Sequence, residues 1–154
     1  MIDIPEADQR KVFQNHFVHG AIFRFERFVF EDKTSKPKFI LVLNPRDENE
    51  FCHYFLPTSN VLRIRTNPLR FDRSYIMPEG TVDCFPKETA IEIAPVRPRE
   101  YAWFEEKYIT HTFGGKLEYI QKMPEPIMDD IKELILTSPY LSPQLKLKIY
   151  PAPG

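Results

Sequence analysis

The sequence predicts a mainly β protein with peripheral helices, built as a small, curved antiparallel β-barrel of about six or seven strands. Three observations point there. Residues 39–43 and 51–56 are short apolar and aromatic runs. Asn44, Pro45, Asp47, Glu48 and Glu50 separate them, and Pro57, Thr58, Ser59 and Asn60 close the second. Runs of that length, rich in Ile, Val, Phe and Tyr and bounded by turn residues, read as an antiparallel strand pair. Residues 20–32 alternate and then change parity, as a strand with a bulge does. Fifteen prolines against five glycines indicate many corners between short elements.

The elements follow in chain order. Residues 5–17 read as a helix, with acidic residues first and Val12, Phe13 and Phe17 at helical spacing. His16 and His19 near its end are spaced for a metal or for a helix C-terminus that tolerates imidazole. In the next strand Ala21, Phe23 and Phe25 share one face, and Ile22, Arg24 and Glu26 the other. Phe28 and Phe30 restart the pattern out of step, which places a bulge near Glu26-Arg27. Residues 31–38 form a charged connection. Pairing of the next two strands brings Lys36 and Lys38 to the same rim as Thr58, Ser59 and Asn60.

Residues 61–75 are expected to include a strand with Arg63 and Arg65 opposite Leu62 and Ile64. With Arg70 and Arg73 they make either a phosphate-tracking ridge or an ordinary solvated face. Short strands are expected around 82–85 and 90–94, a Pro/Arg corner at 95–99 and a short helix over 100–109. Trp103 on that helix reads as a core or interface anchor. Gly114-Gly115 turns into a strand over 116–122. Residues 124–137 are the clearest helix, with Pro124 and Pro126 in its first turn and an apolar stripe of Ile127, Met128, Ile131, Leu134 and Ile135. The segment that follows adds a helical turn or a strand, before a loose Pro-rich end.

A chain of 154 residues with ordinary apolar and charged fractions reads as one domain with a core of its own. No apolar stretch reaches the roughly 18 residues of a membrane span, and the first twenty residues lack a signal-peptide core, so the expected location is cytoplasmic. Cys52 and Cys84 belong to no ligand pattern and read as reduced, buried thiols. The net charge of −1 gives no global nucleic-acid signature and leaves room for a local basic patch. P-loop, dinucleotide-binding and Ser-hydrolase motifs are absent from the sequence.

Taken in order, these segments resemble the MazF/PemK family, toxin components of bacterial toxin–antitoxin pairs. Gly20-Ala21-Ile22-Phe23-Arg24-Phe25 matches its opening strand. Lys36-Pro37 and the apolar run to Asn44 match the next, and Pro57-Thr58-Ser59-Asn60 matches its Thr-containing turn. Val82-Asp83-Cys84, Gly115-Lys116-Leu117 and the helix over 124–136 answer its later elements. The chain departs from the family in having Lys36 where a catalytic Arg precedes the strand's Pro; Thr58 keeps the second catalytic position.

The resemblance implies an SH3-like barrel, usually dimeric, that cuts single-stranded mRNA without a cofactor or metal and is met by an antitoxin. On that template residues 1–19 are a helical extension, 20–94 the barrel core, 95–113 an insertion, 114–137 a strand plus helix and 138–154 a tail. Expected catalytic residues are Lys36 for charge stabilisation, Thr58 and Ser59 for hydrogen bonds to a phosphoryl oxygen, and His53 for proton transfer, unless it is a core or groove histidine. Expected substrate contacts are Arg63, Arg65, Lys38 and Asn60, with Tyr54 or Phe71 stacking on a base. His111 is an unplaced further candidate. The alternatives are a non-catalytic module of the same fold that binds an antitoxin, a peptide or nucleic acid, and a purely structural subunit.

Overall fold

A computed structural model of the chain describes residues 5–29, 35–110 and 117–151, with residues 27–29, 35, 36 and 110 described by backbone alone. The expectations for His111, for Gly114-Gly115 and for the C-terminal end lie outside the described residues. Helix α1 (Glu6–His16) opens the chain, followed by strands β1 (Ala21–Val29), β2 (Ser35–Asn44) and β3 (Phe51–Phe55). Next come α2 (Val61–Arg65), α3 (Pro68–Asp72) and the hairpin β4 (Ser74–Met77) and β5 (Thr89–Glu92). Then follow β6 (Arg99–Glu100), α4 (Tyr101–Thr110), β7 (Leu117–Lys122), α5 (Glu125–Thr137) and α6 (Pro143–Ile149).

The five-stranded sheet runs β6-β3-β2-β1-β7 and every pairing in it is antiparallel. The expected strand pair is β2 with β3, registered at Leu41↔Phe55 and Val42↔Tyr54. The expected bulge also forms: the β1–β2 register shifts between Phe25 and Phe28. The peripheral helices are there, but the chain is mixed rather than mainly β, since helices claim more of it than strands. Among the described residues the sheet does not close into a barrel: β6 and β7 remain its edges.

Alternation along β1 and β2 sends side chains to two separate cores. Ile22, Leu41, Leu43 and Phe55 join Met77, Ile91 and Ile93 of the hairpin, and α5 covers them with Ile127, Met128, Ile131 and Ile135. Ala21, Phe23, Phe25, Ile40, Val42, Cys52 and Tyr54 face the other way. There they meet Phe13 and Phe17 at the N-terminal end of the chain and Tyr101 and Phe104 of α4. The result is three layers, with α1 and α4 on one side of the sheet and the hairpin with α5 and α6 on the other.

Two further expectations are corrected. Residues 61–72 form two short helices, not a strand. Val61 and Ile64, one helical turn apart, are buried, while Leu62, Arg63 and Arg65 face solvent. Asn67 then caps α3 by accepting from the Arg70 N–H at 3.2 Å, with Pro68 in its first turn. Residues 82–85 are a turn closed by a single Val82↔Phe85 bridge, not a strand.

Candidate functional site

A cavity of about 450 Å³ opens where β1, β2, the turn after β3 and the 84–89 segment converge. Its position follows from pairing. Beyond the β2–β3 ladder, the Thr58 N–H donates to the Ala90 carbonyl at 2.9 Å and the Thr58 carbonyl accepts from the Ala90 N–H at 2.8 Å. That bridge ties the turn to β5 and swings Thr58, Ser59 and Asn60 over the end of β2. Within the turn, Thr58 Oγ1 accepts from the Asn60 N–H at 3.2 Å, an ST-turn that sets the hydroxyl's direction.

The polar part of its lining is Thr58, Ser59, Asn60 and Thr89 with the cations Arg24, Lys38 and Lys87. Its apolar part is Phe39, which meets Phe85 edge-on at a ring separation of 5.0 Å, with Pro37, Pro57, Pro86 and Cys84. No Asp, Glu or His is among these described lining residues. The cavity therefore offers positive charge and hydrogen-bond donors to an anion that carries a flat apolar group. Burial pushes the Cys84 thiol up to about 11, so a thiolate nucleophile is not part of this chemistry.

Lys38, Thr58, Ser59 and Asn60, predicted to share a rim, do share this cavity. Lys36 lies on the β2 backbone opposite Phe28, and its side chain is outside the described residues. The remaining predicted residues stand elsewhere. His53 is 1 % exposed, and its Nε2 donates to Asp47 Oδ2 at 2.8 Å in the β2–β3 turn. Asp47 Oδ1 also accepts from the N–H groups of Asn49 at 2.8 Å and Phe51 at 3.0 Å. Burial raises the Asp47 carboxyl, but these donors, led by Phe51 and His53, outweigh it and leave the carboxyl below its ordinary value.

Tyr54 is buried against Phe104 on the opposite face of the sheet, with ring centroids 5.2 Å apart, and burial raises its phenol. Arg63 and Arg65 project from α2, where Arg65 pairs with Glu88 at 2.7 Å. Arg70 and Arg73 both pair with Glu92. Three of the four arginines of this segment are thus engaged by Glu88 and Glu92. His16 and His19 diverge, to the Val12 carbonyl at 3.0 Å and the Tyr150 hydroxyl at 3.1 Å. Burial, with Lys122 and Lys132 nearby, lowers the His19 imidazole. Among the described residues no group of three His, Cys, Asp or Glu side chains could hold a metal ion, and no helix is long and apolar enough to cross a membrane.

Sequence reasoning passed over Arg24, Lys87 and Thr89. Arg24 carried a usable signal: it is a cation inside an alternating apolar strand, on the face shared with Ile22. Lys87 and Thr89 carried none, because their place depends on the long-range bridge to Thr58. No protein-family model, curated protein or solved structure matches this chain.

Proposed function

We propose that this chain is a divergent MazF/PemK-like toxin, a metal-independent endoribonuclease that cuts single-stranded mRNA at the cavity beneath Thr58. The carrying observation is the convergence of three cations and the Thr58-Ser59-Asn60 turn on one cavity whose described lining has no carboxylate. On this reading the open sheet, bridged to the hairpin at Thr58, is a relaxed form of an SH3-like barrel. Cleavage is an internal transesterification. The 2′-oxygen attacks phosphorus, the bond to the 5′-oxygen breaks, and a 2′,3′-cyclic phosphate and a 5′-hydroxyl result. The cations stabilise the phosphorane charge, and Thr58 and Ser59 donate to its oxygens.

A non-catalytic RNA-binding module is the second reading. It is favoured by the lack of an imidazole or carboxylate in the described lining to take the 2′-proton. Incubation of the purified protein with a mixed-sequence RNA, with mapping of the ends, tests both. Cleavage lost in Thr58→Ala and Lys36→Ala supports the nuclease; binding without any cleavage supports the module. The resemblance also implies a homodimer and an acidic antitoxin partner, which light scattering and co-expression with a neighbouring small reading frame would test.

A further inference from the structure

Arg24 and Phe39 are cross-strand partners in the β1–β2 ladder, so their side chains leave the sheet on the same face. That face is the cavity's own: Ile22 precedes Arg24 on it, and Phe39 packs edge-on against Phe85 there. The other cations near the cavity are placed differently. Lys38 has the parity of Ile40 and Val42, which pack in the opposite core, and borders the cavity from the strand's far side. Lys87 stands on an exposed loop.

Arg24 is also the one guanidinium in the described lining. It is half-buried, and among the described residues no carboxylate forms an ion pair with it; Glu118, its β7 neighbour in register, is not such a partner. The arginines that sequence reasoning favoured are elsewhere, and Arg65, Arg70 and Arg73 are engaged by Glu88 and Glu92. A half-buried guanidinium without a counter-ion is poised for an anion, and its planar fork fits two oxygens of one phosphate.

We infer that Arg24 and Phe39 form a seat for one unstacked nucleotide, with the phosphodiester held by Arg24 and the adjoining base resting on Phe39. This rests on the reading of the cavity as an RNA site and names what that site recognises: a nucleotide of an unpaired strand, not a bare anion. An aromatic ring beside a cation is the combination that single-strand binders use, and stacking there tolerates every base. A duplex, whose bases are stacked and paired, cannot present its base to Phe39.

The test is fluorescence anisotropy with a short single-stranded oligonucleotide carrying 2′-fluoro sugars, which cannot be cut through a 2′-hydroxyl. Arg24→Gln should weaken binding at least about tenfold and flatten the slope of log K against log salt by roughly 0.7, one phosphate's worth. Arg24→Lys, which keeps charge and approximate size, should also weaken binding, because the bidentate grip is lost. Arg63→Gln with Arg65→Gln should leave binding within about twofold of wild type. An abasic version of the oligonucleotide should bind wild type more weakly than the intact one, and Phe39→Leu should erase that difference.

If wild type binds and both Arg24 variants match it, the seat is wrong while the cavity reading stands. Equal binding of abasic and intact strands by wild type overturns the role of Phe39. Failure of wild type to bind at all removes the cavity reading and the seat together.

Discussion

Asp47→Ala is the substitution whose effect on stability follows most directly from the structure. One carboxylate, 5 % exposed, holds the β2–β3 turn by accepting from the Asn49 and Phe51 N–H groups and from the His53 ring. Alanine removes all three bonds at about 1 kcal/mol each. It also strands a buried imidazole, because His53 Nδ1 has no partner among the described residues and Nε2 would lose its own. That orphan adds about 1–2 kcal/mol. The sum, about 4–5 kcal/mol, is a large part of the 5–15 kcal/mol typical of a domain. With a urea dependence of about 2 kcal/mol per molar, the unfolding midpoint should fall by about 2 M.

Asp47→Asn keeps one acceptor for the turn and should lose about half as much. Its pH profile should differ too. The folded carboxyl titrates below its ordinary value of 3.8, so between the two the unfolded chain holds more protons and stability falls as pH drops. That component is complete above the ordinary carboxylate range and should be missing in Asp47→Asn. A urea midpoint within about 0.5 M of wild type for Asp47→Ala would refute the reasoning.

Other outcomes follow from the same geometry. Phe104 is fully buried between the rings of Phe17, Tyr54 and Trp103, so Phe104→Ala should cost about 3–5 kcal/mol by urea titration. Arg65→Ala breaks only a pair whose side chains are 45 % and 41 % exposed, and should change stability by less than about 1 kcal/mol in the same assay. RNA affinity should fall with salt along a slope of about −2, the value for three cations on a single strand. A flat salt titration would detach the cavity from phosphate recognition.

Local pattern carried the fold as far as local forces decide it. The β2–β3 pair, the bulge after Phe25, α1 and α5 were legible because their apolar spacing fits one period only. Val61-Leu62-Arg63-Ile64-Arg65 was not, because Leu62 and Ile64 fit a strand as well as Val61 and Ile64 fit a helical turn. The choice fell to contacts with Ala90 and Ile76 from the hairpin, which no window of that segment contains.

The site divides the same way. Lys38 and Thr58 came together because β2 and β3 are joined by a short turn that fixes their register. For His53 the structure shows the core histidine that stood as the alternative to proton transfer; its partner was not legible, because Asp47 was read only as a turn acid. Arg24 was passed over because its value lies in what stands across the ladder from it.

The layer made by α1 and α4 joins two stretches that the MazF/PemK resemblance leaves out. Arg10 and Glu105 pair across 95 residues of sequence, and Phe13 lies 5.7 Å from the Tyr101 ring and 5.2 Å from that of Tyr108. Each stretch packs its rings partly on the sheet and partly on the other stretch, so deleting one would leave part of its counterpart's ring cluster open to water. They can be trimmed from the protein only as a couple, and even then the bared flank of the sheet would need a new cover.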